Sequence, residues 1–80
     1  MTTFEKVKKL LSDELQIDTE EIKLESELIA DLELNSLELA EFVLTCEEKF
    51  CIVIKDNDLK RLVSIKDIVN YIDKLTGGAV

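Results

Sequence analysis

Leu34-Asn35-Ser36-Leu37-Glu38-Leu39-Ala40-Glu41-Phe42-Val43-Leu44-Thr45-Cys46-Glu47-Glu48-Lys49-Phe50 is the stretch on which the fold turns. Asn35 is a good helix cap with Glu38 in the third helical position, the reciprocal arrangement that satisfies two free backbone N–H groups at a helix start. The pattern predicts a helix over Ser36 to Phe50 with Phe42, Val43, Cys46 and Phe50 on its core face. A second apolar set, Leu37, Ala40 and Leu44, falls on a different stripe edged by Glu38, Glu41, Glu47 and Glu48. Such a stripe suits either a docking face or packing beneath the preceding loop, and spacing alone leaves both open.

Toward the N-terminus, Gln16 to Leu34 holds Ile17, Ile22, Leu24, Leu28, Ile29, Leu32 and Leu34 without a sustained period, interrupted by Asp, Glu, Thr and Ser. This reads as a long loop pinned by buried side chains, and long ordered loops in small domains are often functional. Before it, Phe4, Val7, Leu10, Leu11 and Leu15 follow helical spacing and Thr2 with Glu5 forms a capping box, which predicts a helix from about Thr3 to Leu15.

Toward the C-terminus, Cys51-Ile52-Val53-Ile54 is β-branched but would be a strand without a partner, so it is expected to be a buried connector. Asp56 is expected to cap a short helical turn carrying Leu59 and Leu62. Ser64 with Asp67 caps a last helix with Ile65, Ile68, Val69, Ile72 and Leu75 on one face, which Gly77 and Gly78 end. The expected fold class is all-α: a small bundle of three main helices plus one short helix, with a long loop between the first and second.

At 80 residues and 9.1 kDa, with 46% hydrophobic and 35% charged residues, the chain is expected to form one domain over residues 1–80. It is too apolar for an acidic tail, and no run approaches the ~18 apolar residues of a membrane span. Met1-Thr2-Thr3-Phe4-Glu5 lacks the basic and apolar regions of a signal peptide, so a cytoplasmic protein is expected, working as a monomer. The formal charge is −8, and it is polarised: Leu10 to Glu48 carries thirteen acidic residues and one basic, while the remainder carries five acidic and nine basic. That charge disfavours nucleic acid and anionic membrane and favours basic protein surfaces.

The chain has no His, which removes Ser-His-Asp and Cys-His nucleophile pairs, His-containing zinc sites and imidazole acid-base chemistry. Cys46 and Cys51 lack the spacing of a metal or redox pair and are given no catalytic role. Asp56, Asp58, Ser64 and Asp67 fall on several positions of a calcium loop. However, Lys60 stands at a ligand position, Arg61 where the turn needs Gly, and Asp67 where a bidentate Glu belongs, so no metal site is expected. No catalytic residue is assigned anywhere. What remains is Ser36, a hydroxyl in the first turn of a helix whose cap Asn35 already supplies, free to point outward and unable to be activated from within.

In the window Asp31-Leu32-Glu33-Leu34-Asn35-Ser36-Leu37 the chain closely resembles the acyl carrier protein family, whose attachment motif reads Asp-Leu-Gly-x-Asp-Ser-Leu. The resemblance extends to the Phe4–Leu15 helix, the acidic loop, Glu47-Glu48-Lys49-Phe50, the Ile54 connector and Tyr71-Ile72. It implies that Ser36 receives a covalent 4'-phosphopantetheine from coenzyme A, delivered by a phosphopantetheinyl transferase (a holo-acyl-carrier-protein synthase) that supplies base and metal. The arm's thiol would then carry acyl groups as thioesters for fatty-acid or specialised lipid and polyketide biosynthesis, and the fold would shelter the acyl chain between helices. The partners implied are ketosynthases, acyltransferases or acyl-activating enzymes with basic docking surfaces. Asn35, Leu37, Glu38, Ala40, Glu41, Leu44, Glu47 and Glu48 would form the recognition face.

Three positions depart from the family pattern: Glu33 stands for the usual Gly, Asn35 for Asp, and Lys55 where Pro is frequent. The first two motivate an alternative, an acidic helical adaptor that keeps the carrier fold, binds proteins, and leaves Ser36 bare.

Overall fold

The computed structural model describes residues 2–77, so Gly78 of the expected C-terminal stop lies outside the described residues. Among the described residues four α-helices follow one another: α1 (Thr3–Leu15), α2 (Ser36–Phe50), α3 (Asp56–Leu59) and α4 (Ile65–Thr76), with a 3-10 turn at Thr19–Glu21 inside the long loop. The architecture is the expected all-α bundle with three main helices and one short one.

Each long helix begins with the same device. The Thr2, Asn35 and Ser64 side chains accept from the backbone N–H of Glu5, Glu38 and Asp67, whose carboxylates accept in return from the cap residues' own N–H groups. Every start is thereby fixed to one residue by bonds three positions apart. The ends follow a common rule too, with Gln16, Cys51 and Gly77 in the left-handed region, their N–H groups donating back to the last turn.

α1 packs against both α2 and α4. Val7 and Leu11 from α1, Phe42 and Cys46 from α2, and Ile65, Ile68 and Ile72 from α4 are at most 2% exposed, and Ile22, Leu28 and Leu34 bring the loop into the same core. Burying apolar area on this scale is the main favourable contribution to folding. Thr3 Oγ donates to the Asp73 carboxylate, tying the first turn of α1 to the last turns of α4.

The loop is held by backbone bonds as well as by its buried side chains. Leu28 N–H donates to Val63 O (2.9 Å), while Ile65 and Lys66 N–H donate to Ser26 O (2.9 Å) and Leu24 O (2.8 Å). An isolated antiparallel bridge between Glu27 and Ser64 results. Of the loop's apolar residues, Leu24 and Ile29 nonetheless remain exposed.

Two expectations need correction. Cys51–Ile54 is not uniformly buried: its extended backbone alternates, with Ile52 and Ile54 half-buried and Cys51 and Val53 outward, Val53 being 75% exposed. Asp56 is not the cap of α3 but its first residue. Lys55 holds the cap position, has no side-chain acceptor to offer, and leaves the helix uncapped by any side chain.

Candidate functional site

The α2 start is built from the loop inward. Leu34 is buried and its N–H donates to Leu28 O (3.1 Å), which fixes the chain one residue before the cap. Glu33, immediately before, adopts φ +58°, a left-handed conformation that suits glycine. This accounts for Gly at that position in the motif: the turn into α2 requires the conformation whatever residue supplies it. The Asn35 carboxamide accepts from Glu38 N–H (2.8 Å), and Glu38 Oε1 accepts from Asn35 N–H (3.1 Å). Ser36 is the first helical residue, exposed to solvent and relieved of capping.

Ser36 lies at the positive end of a 15-residue helix, where first-turn N–H groups lack intrahelical acceptors and the helix dipole favours an anion. Two of the neighbouring carboxylates are already engaged. Glu38 belongs to the cap, and Asp31 Oδ2 accepts from Glu27 N–H (2.7 Å). With no imidazole in the chain, the Ser36 hydroxyl is an ordinary alcohol that no internal imidazole base activates.

The second apolar stripe of α2 does not pack beneath the loop. Leu37 is 67% and Leu44 60% exposed, and Ala40, Glu41 and Glu48 are exposed alongside them. Residues 37, 40, 41, 44 and 48 recur at helical spacing, which gives a continuous open face with an apolar centre and acidic margins. Asn35, Glu38 and Glu47 have internal partners. Glu47 Oε2 accepts from Ile54 N–H (3.0 Å), a bond seven positions apart that sequence periodicity does not signal.

An apolar cavity of about 280 Å³ opens nearby, lined by Ile29, Ala30, Leu39, Leu59, Leu62 and Val63. Leu39 is three residues beyond Ser36, about 5 Å along the helix axis. A wider cleft of about 410 Å³ between α1 and the far end of α2 is rimmed by Lys6, Lys9 and Lys49, about 20 Å from Ser36 by helix rise. A third concavity, about 780 Å³, is formed by the long loop, with Asp18, Glu20, Glu21, Asp31 and Glu33 in its wall beside one cation, Lys23. Cys46 is buried, its thiol pushed up to about 12 by desolvation and by nearby Glu47, whereas Cys51 is exposed. Among the described residues no group of His, Cys, Asp and Glu forms a metal site, and no helix is long and apolar enough to cross a membrane.

An exposed hydroxyl at a helix start thus stands beside an open apolar stripe with acidic margins, and an apolar cavity opens one turn away. Residues 5–72 match the family model described as "Phosphopantetheine attachment site". The chain is 44% identical over 75 residues to the acyl carrier protein of Campylobacter jejuni subsp. doylei, covering 94% of this chain and 97% of that protein. Over the same shares it is 45% identical to the acyl carrier protein of Campylobacter concisus and 41% to that of Campylobacter fetus subsp. fetus. The chain belongs to the acyl carrier protein family. It is a carrier and not an enzyme, its prosthetic group is a covalent 4'-phosphopantetheine, and it works with biosynthetic enzymes and a phosphopantetheinyl transferase.

Proposed function

We propose that Ser36 is the attachment residue and that the chain, one carrier unit over residues 1–80, presents acyl thioesters to successive biosynthetic enzymes. The observation that carries this reading is the division of labour at the α2 start: Asn35 performs the cap, and Ser36 is left exposed in the first turn. The residues fit the group, since a phosphodiester there would meet the first-turn N–H groups and the helix dipole. The arm supplies a thiol that forms thioesters; this chain supplies the hydroxyl, the anion-favouring helix end, and the apolar cavity in which the acyl chain is sheltered.

Leu37, Ala40, Glu41, Leu44 and Glu48 form the face that ketosynthases, acyltransferases or acyl-activating enzymes dock on, with acidic margins steering basic surfaces and a small apolar centre giving modest adhesion. Weak docking suits a shuttle that must leave each enzyme. Asn35, Glu38 and Glu47 act behind this face, holding its geometry. The carrier works in the cytoplasm as a monomer, a state favoured by the mutual repulsion of chains with net charge −8.

The test is intact-protein mass after incubation with coenzyme A, magnesium and a broad-specificity phosphopantetheinyl transferase, beside Ser36→Ala. The wild type is expected to gain one phosphopantetheine and the variant none. A folded wild type that gains nothing from several transferases would overturn the assignment and leave the binding-only adaptor.

A further inference from the structure

Between Cys51 and Arg61 no residue is buried. This segment contains the connector and α3, a four-residue helix without a side-chain cap. By the usual determinants of local stability it should open more readily than the rest of the bundle. Yet Leu59 and Lys60, with Leu62 and Val63 just beyond, form one wall of the apolar cavity.

Two side chains from the long helices hold the segment. From α2, Glu47 Oε2 accepts from Ile54 N–H (3.0 Å). From α4, the Tyr71 hydroxyl donates to Asp58 Oδ2 (2.8 Å). Both bonds have a carboxylate as acceptor, the stronger kind of hydrogen bond, and they grip the segment four residues apart from opposite helices. Burial and donation to Asp58 raise the Tyr71 phenol above its ordinary range, which keeps it a donor.

We propose that Glu47 and Tyr71 are a two-point clamp on residues 54–58, positioning residues that keep the cavity wall closed over bound cargo. The cargo half of this inference rests on the carrier reading, whereas the clamp itself does not. It also gives Glu47 a duty inside the fold, as the acceptor of a backbone N–H, beside its place among the acidic residues of α2.

Amide hydrogen exchange on the full-length chain, with Tyr71→Phe, Glu47→Ala and Glu47→Gln beside wild type, tests the clamp. Tyr71→Phe and Glu47→Ala are expected to speed exchange of the Ile54 and Leu59 amides about tenfold, the scale of one lost hydrogen bond to a charged group, with Val7 and Leu11 within about twofold. Glu47→Gln is expected to fall between wild type and Glu47→Ala, about threefold above wild type, since its carboxamide oxygen still accepts from Ile54 but as a neutral, weaker acceptor. After octanoyl loading from octanoyl-CoA by the transferase, hydroxylamine is expected to cleave the thioester at least about threefold faster in Tyr71→Phe and Glu47→Ala, in line with wall opening. An equal rise in exchange across α1 would mean general destabilisation and overturn the clamp, as would Glu47→Gln behaving like Glu47→Ala. Faster exchange with unchanged cleavage would overturn the guarding of cargo. Failure of wild type to load at Ser36 would strike the carrier reading alone, and the exchange data would still decide the clamp.

Discussion

Glu33 is where the strongest local constraint and the chemistry of the site meet. Its left-handed backbone turns the loop into α2 directly before buried Leu34 and the Asn35 cap, so Ser36 inherits its exposure from that turn. A side chain in this conformation costs about 1 kcal/mol, and glycine would remove that cost while giving back part of it through a freer unfolded chain. Removing a carboxylate from the acidic concavity adds a further small gain. Glu33→Gly is therefore expected to raise stability by about 0.5 kcal/mol in urea unfolding; a loss of that size would contradict the reading. The departure from the family's glycine thus affects local stability without altering the Asn35–Glu38 cap or the exposure of Ser36. The exposure of Ser36 was legible in the sequence, because the Asn35–Glu38 cap that frees it joins residues three apart. The internal engagement of Glu47 was not, because its partner is brought round by the turn at Cys51.

The elements differ in how much of their definition is local. α1, α2 and α4 are read directly from Thr2 with Glu5, Asn35 with Glu38 and Ser64 with Asp67, followed by apolar residues at helical spacing. α3 and the connector resisted, since a four-residue helix has too few positions for a period and its boundary is set by packing. The cavity wall formed by Leu59 and Leu62 was hidden for the same reason. The α4 cap carries a pH signature. Asp67 is held below the usual carboxylate range first by Ser64 N–H, against a smaller opposing effect of burial, and then by Val63 N–H. Because the folded-state value is lowered, the associated stabilisation is present above the unfolded value near ~3.9 and is lost as pH falls through the folded one. Asp67→Ala is expected to cost about 0.5 kcal/mol at neutral pH, with the gap to wild type closing below about pH 4 in urea titrations. A gap that persists at pH 2 or so would separate the loss from this carboxylate's charge.

Across the whole molecule, charge is arranged in poles. Asp18, Glu20, Glu21, Asp31 and Glu33 outnumber Lys23 in the wall of one concavity, while Lys6, Lys9 and Lys49 outnumber Asp13 around the cleft at the far end of α2. Crowded carboxylates repel one another in the folded state, and added ions screen them. Raising salt or adding magnesium is expected to lift the melting temperature by about 5 °C, equivalent to about 1 kcal/mol in a domain of this size. A melt indifferent to both would show that the poles are too well hydrated to matter. The polarity was legible as a count along the chain, but only the fold shows that the lysines of α1 meet Lys49 across a cleft.

The pairing of α1 with α4 has a consequence for how the chain comes into being. Val7 and Leu11 bury themselves against residues that include Ile68 and Ile72, and Thr3 is tied to Asp73 across nearly the whole sequence. A nascent chain that has emerged only as far as α2 has half a core and no lid for it. Folding must wait until α4 has cleared the ribosome, so closure of a long loop, and not the formation of any one helix, sets the moment at which this carrier first becomes a substrate for its modifying enzyme.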